Sequence, residues 1–257
     1  MEPLGLTLPL ATVETAMLAG VRIAAFLVIA PPFAHRAIPA QVKVMLALGL
    51  ALAVTPRLEA AGGAPASTPQ FIGDLVVQVV IGGGLGFLVA LVFSAVQSAG
   101  NVIDLFGGFQ MAAAFDPMQM TSGAQFARLY QITALVLLFV TDGYQMVLAG
   151  LVRTFDALPL GASLDLGVMA ESVTEGLTQM FLASLQIAGP LVVILFLTDV
   201  GLGLLTRVSP ALNAFALGFP LKILMTVTFA GFAYLAMPGQ IESLVSTAVR
   251  TVLGVSA

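Results

Sequence analysis

Charged residues are so sparse along this chain that the gaps between them mark its elements. Residues 75–103 form an uncharged run of 29, residues 176–198 one of 23, and residues 223–241 one of 19. A helix needs about 20 apolar residues to cross roughly 30 Å of hydrocarbon, so these three are long enough to span a bilayer. Three further segments are less clean. Leu10–Ala30 is interrupted by Glu14 and Arg22, Phe126–Val152 by Arg128 and Asp142, and Val42–Val54 is short and starts beside Lys43. The pattern predicts about six hydrophobic helical segments and an all-α fold.

Punctuation sets the expected boundaries. Pro31-Pro32 and Pro39 close the first segment and bracket a short loop carrying His35 and Arg36. Thr55–Gln70 is rich in Pro, Gly, Ser and Ala and reads as an aqueous linker. A second break spans Gly107–Gly123 and a third Thr154–Gly167. Gly189-Pro190 falls inside an apolar pattern and predicts a kink, because proline lacks the N–H and its ring clashes with the preceding turn. Pro220 predicts the same near the start of the last long segment. Two stretches are amphipathic: Val168–Gln186, with Asp165 as its N-cap, and a C-terminal stripe of Ile241, Leu244, Val245, Ala248, Val249, Val252 and Leu253.

Composition turns this pattern into a class. Hydrophobic residues make up 59% of the 257, and charged residues only 9% against about 25% in soluble domains. Too little polar side chain remains to cover a water-facing surface, so an integral, helix-rich membrane protein is expected. Glu2 stands among the first ten residues with no Lys or Arg, which argues against a cleavable signal peptide. Nine Lys and Arg against thirteen Asp and Glu, with no basic cluster, exclude nucleic-acid binding through a basic footprint. Basic residues distribute evenly over the two sides of a six-span arrangement, and there is no Trp for an aromatic belt. One reading is a weakly biased membrane protein; the sharper one surrounds most of the chain with other protein rather than lipid.

Catalytic chemistry finds no support. The chain has no Cys and a single His, and it lacks the nucleophile-elbow, HExxH and P-loop motifs. No catalytic residue, metal site or cofactor is expected, and His35 reads as a solvated loop residue. Ile81–Gly86 (IGGGLG) breaks the dinucleotide spacing; Gly82 and Gly86 instead form a GxxxG pair that favours close helix packing. Glu14, Arg22, Asp142, Asp199 and Lys222 lie inside apolar segments, where a charge costs on the order of 2.5–3.5 kcal/mol at a bilayer centre. Structural ion pairs or helix ends are the expected outcome, a proton or ion relay the alternative.

Phe106–Gly123 (FGGFQMAAAFDPMQMTSG) is the most unusual segment. It carries three Phe and three Met between glycines, and Asp116 is its sole charge. Phe106, Phe109, Met111, Phe115, Met118 and Met120 cannot all face water, since burying each is worth roughly 1.5–3 kcal/mol. It reads either as a half-helix in the core or as a conformable hydrophobic plug. Methionine suits the plug because its unbranched side chain re-packs readily, and Gly107 and Gly108 permit backbone rearrangement.

The order of motifs resembles the FliR family of flagellar export-gate proteins, whose virulence-associated type III secretion counterpart is a close relative. Gly100-Asn101-Val102-Ile103-Asp104 followed by the Gly/Phe/Met segment to Phe115-Asp116-Pro117 resembles the family's central region. Leu129–Gly143 and Leu151–Gly161 resemble its next hydrophobic helix and Leu-Pro element. Gly201–Pro210 and Leu212–Lys222 resemble its signature stretch, carried here by Arg207, Pro210, Asn213, Gly218, Phe219, Pro220 and Lys222. Asp142-Gly143-Tyr144 departs from the Asn-Gly-His found in relatives. The resemblance implies a single non-enzymatic export-gate domain over 1–257, built of hydrophobic helical hairpins like a fusion of FliP and FliQ. It implies one copy assembling with FliP and FliQ subunits, association with FlhB, and passage of unfolded flagellar proteins. It implies a place in the bacterial inner membrane at the flagellar basal body, with much of the assembly on the periplasmic side. The segment matching Phe106–Ser122 is then a pore plug. A virulence secretion subunit is the nearest alternative. A secondary transporter with helices broken at Gly189-Pro190 and Pro220 is the more distant one.

Overall fold

The computed structural model describes residues 9–35, 37–61, 67–110, 124–162, 165–209, 214–235 and 237–254. Among the described residues there is no strand, and eight helices follow one another. They are α1 (Leu10–Ile29), α2 (Ala40–Ala61), α3 (Thr68–Phe106), α4 (Gln125–Val140), α5 (Gly143–Ala157), α6 (Leu166–Val208), α7 (Ala214–Leu235) and α8 (Met237–Gly254).

Several boundaries differ from the sequence expectation, and packing explains why. The expected linker at Thr55–Gln70 is helical at both ends, because α2 continues through Pro56 to Ala61 and α3 begins at Thr68. Ala47, Ala51, Val54, Thr55 and Leu58 form a buried stripe at helical spacing, which carries α2 past the proline. The third break shortens likewise, since α5 runs on to Ala157 with Thr154 and Phe155 buried. The amphipathic Val168–Gln186 stretch and the uncharged run after it are one continuous helix, α6. Asp165 starts it as expected, accepting the Gly167 N–H at 2.8 Å and the Val168 N–H at 3.3 Å. Helix continues through Pro190 in α6 and Pro220 in α7, so neither proline marks a broken span.

The chain gathers into two compact units. The first takes Met1–Ala90, Tyr144–Gly176 and Val245–Ala257; the second takes Leu91–Gly143 and Leu177–Leu244. In the first unit α1 and α2 pack as a hairpin, joined by a turn that contains the cis Pro31-Pro32 bond. His35 is exposed in that turn, and its Nδ1 accepts the Ala37 N–H at 3.1 Å. The GxxxG pair does what its spacing predicts. A Cβ on Gly82 would collide with the Arg22 carbonyl oxygen, and one on Gly86 would stand 3.0 Å from that of Phe26. Backbone of α1 therefore lies directly on α3.

Arg22 is wholly buried inside this unit. Its Nε donates to Gln78 Oε1 at 2.6 Å, and its two terminal nitrogens donate to the carbonyls of Thr154 (3.3 Å) and Leu158 (2.8 Å). The guanidinium also lies 4.3 Å from the centre of the Phe155 ring. Gln78 completes the set by donating to the Leu160 carbonyl at 2.9 Å. The cation thus caps the carbonyl end of α5, where orphan acceptors and the helix dipole both favour positive charge. On the outside of the same end, Arg57 pairs with Asp156 at 2.9 Å.

The second unit is cored by Leu91, Ala95, Val96, Ala99 and Ile103 of α3, Tyr130, Ala134 and Leu138 of α4, and Ile187, Leu191 and Leu195 of α6. Among the described residues four helices, α1, α2, α3 and α6, are long and apolar enough to cross a membrane, or five spans if α4 and α5, bent by 76°, count as one. Between 22% and 44% of each span is buried within the chain, so most of their apolar surface needs other cover. α3 has 39 residues and α6 has 43. At about 1.5 Å per residue they extend roughly 58 and 65 Å, about twice a hydrocarbon core of roughly 30 Å.

Candidate functional site

The described site residues fall at the end of α3, late in α6 and along α7, all within the second unit. α3 stops at Phe106, which is partly exposed, and Gly107 and Gly108 turn the chain. Gly108 adopts φ 82°, a conformation that glycine enters without steric penalty. Space around the turn is tight. A Cβ on Gly107 would stand 2.7 Å from Thr226 Oγ1 and 2.8 Å from the Ile103 carbonyl oxygen, and one on Gly108 would stand 3.3 Å from the Phe219 ring. The start of the Gly/Phe/Met segment is therefore seated on α7. Phe109 then meets Phe126 edge-on at 5.2 Å between ring centres, and Phe126 meets Tyr130 at 6.3 Å.

Along α7, Lys222 Nζ pairs with Asp199 Oδ1 of α6 at 2.8 Å, which resolves two of the buried-charge expectations as a structural ion pair. The Thr226 hydroxyl donates to the Lys222 carbonyl at 2.7 Å. Gly218 faces Leu202 in ordinary contact at 3.7 Å, and Pro220 is exposed. Arg207 is exposed in the last turn of α6, where a cation suits the carbonyl end. Pro210 and Asn213 lie outside the described residues, as do Met111, Phe115, Asp116, Pro117, Met118 and Met120. The structure thus brings Gly107 and Gly108 together with Phe219, two motifs far apart in sequence.

Asp104 belongs to the family-like Gly100–Asp104 stretch but is not among the site residues expected from sequence. It is wholly buried, and its carboxylate accepts the N–H of Phe126 through Oδ1 and that of Ala127 through Oδ2, both at 3.0 Å. These are orphan donors of the first turn of α4, whose own N-cap residue, Ala124, makes no side-chain cap. Gly100, one turn earlier on α3, has Ala127 packed on it so closely that a Cβ would stand 2.6 Å from the Ala127 nitrogen and 2.7 Å from the Phe126 carbonyl carbon. The available signal was the i, i+4 spacing of a glycine and a carboxylate on an apolar helix. Among the described residues no group of three His, Cys, Asp or Glu could hold a metal ion.

Residues 13–248 match the family described as bacterial export proteins, family 1. The chain is 32% identical to the flagellar biosynthetic protein FliR of Escherichia coli strain K12 over 207 residues, covering 80% of this chain and 79% of that one. The chain belongs to the FliR family of bacterial export proteins. FliR of Pectobacterium carotovorum is likewise 32% identical, over 88% of this chain and 86% of its own. The surface presentation of antigens protein SpaR of Shigella sonnei is 23% identical over 58% of each chain. The match to the bacterial export family begins inside α1 and ends inside α8, so it takes in every predicted site residue.

Proposed function

We infer that this chain is the FliR-type subunit of a flagellar protein-export gate in the bacterial inner membrane. The observation that carries this reading is the family match across residues 13–248, joined by 32% identity to FliR proteins over most of both chains. The subunit is non-enzymatic and works by shape. It assembles with FliP and FliQ, associates with FlhB, and lines part of the path of unfolded flagellar proteins. Much of the assembly stands on the periplasmic side of the membrane plane; the lengths of α3 and α6 support extension beyond the hydrocarbon, because neither fits within it at ordinary tilt. Deleting the gene from its own bacterium abolishes flagellar filaments and swimming. Intact flagella with loss of a virulence-type secretion activity instead support the SpaR-like alternative, which rests on the weaker match.

The Phe106–Ser122 segment plugs the pore. Its Phe and Met side chains give a dewetted, re-packable seal against ions. The seating of Gly107 and Gly108 on Phe219 and Thr226 supports a fixed base for it, and Arg207, Pro210, Asn213, Gly218, Phe219, Pro220 and Lys222 serve subunit packing. Removing residues 110–122 while keeping the packed base leaves the complex purifiable and makes cells leak ions, read with a membrane-potential dye. An intact complex with unchanged leakage rules the plug out.

A further inference from the structure

We propose that Asp104 and Gly100 form a socket that pins the N-terminus of α4 to α3 and so fixes the two ends of the 107–124 segment. This deepens the plug reading and rests on it. Gly100 supplies closeness: with no Cβ there, the backbone of Phe126 and Ala127 rests directly on α3. Asp104 supplies charge: each carboxylate oxygen takes one N–H of the first turn of α4 at 3.0 Å. Together they place a buried anion at the positive end of a helix dipole, a geometry in which charge-assisted hydrogen bonds are strong. Phe109 against Phe126 adds an apolar contact beside the socket. The tie joins residues 22 and 23 positions apart, across the ends of the segment. A helix N-cap normally comes from the residue before the helix. Here that position is Ala124, so the cap is delegated to another helix and doubles as a tether.

Asp104 is accordingly a positioning residue for the seal, and tether can be separated from cap. Asp104→Ala removes both, whereas Asp104→Ala with Ala124→Ser restores a local cap without the tie to α3. The expected result is that both variants assemble with their partner subunits, judged by co-purification, and that both raise ion leakage several-fold toward the level of the 110–122 deletion. Asp104→Asn, which keeps one acceptor, leaks less than Asp104→Ala. Gly100→Ala tests the same socket without touching the carboxylate and should leak as well. If the hydroxyl introduced by Ala124→Ser abolishes the leak, Asp104 is only a helix cap and the tether is overturned. Assembled variants that do not leak, while the deletion does, overturn it too. A deletion that does not leak sinks the plug reading instead. Failure of every socket variant to assemble shows that Asp104 and Gly100 serve folding alone, which again overturns the proposal.

Discussion

Arg22 satisfies its buried charge with neutral acceptors spread over 56, 132 and 136 positions of sequence. Replacing it by Ala leaves the Leu158 carbonyl and the Gln78 amide oxygen without their donor, while the Thr154 carbonyl keeps the Leu158 N–H at 2.8 Å. Each bare buried group costs about 1–3 kcal/mol, so the apparent Tm of the purified complex should fall sharply. Arg22→Lys should recover part of the loss, because an ammonium keeps the charge but cannot fan toward three acceptors. The sequence made plain that a guanidinium inside an apolar helix needs a partner. It could not name one, because carbonyl oxygens at a helix end leave no mark in residue identity. For Asp199 and Lys222 the sequence predicted an ion pair or a helix end without matching the two, and the structure supplies the match. Asp104 was hidden for the same reason as Arg22: its partners are backbone N–H groups.

At the level of elements, glycines divide into those that permit contact and those that do not. Gly82→Ala would drive a Cβ into the Arg22 carbonyl and separate α1 from α3, so the variant should accumulate poorly in membranes by immunoblot. Gly73→Ala, also in α3 but with nothing within 4 Å, should accumulate at least as well as the parent, since Ala is worth roughly 0.5–1 kcal/mol over Gly in a helix. Equal loss in both would reject backbone contact as the role of Gly82. The GxxxG spacing was legible because it depends only on helical period. Helix ends were less so. Pro56 reads as a breaker, yet the buried stripe from Ala47 to Leu58 outweighs it, and which side chains are buried depends on neighbours that local pattern does not specify. Helix also runs through Pro190 and Pro220, both of which are exposed.

At the scale of the whole molecule, the described helices leave much of their apolar surface uncovered. Along α6 alone, Phe181, Leu185, Val193, Phe196, Val200 and Leu204 are exposed, over a helix about twice the bilayer core in length. Surface of this kind marks a protein-interaction face when water is the alternative. Expressed without its partner subunits the chain should be degraded or aggregated, and co-expression should raise its membrane-bound amount several-fold by immunoblot. A stable, dispersed monomer in either case would contradict shared burial. The clamp at the end of α5 adds a property of another kind. Peptide carbonyls and a carboxamide hold no exchangeable acid–base state near neutrality, so the grip on Arg22 is unchanged whether the surrounding compartment is acidified or not. The junction of α1, α3 and α5 fastened in this way keeps its geometry in a membrane whose two faces differ in proton concentration.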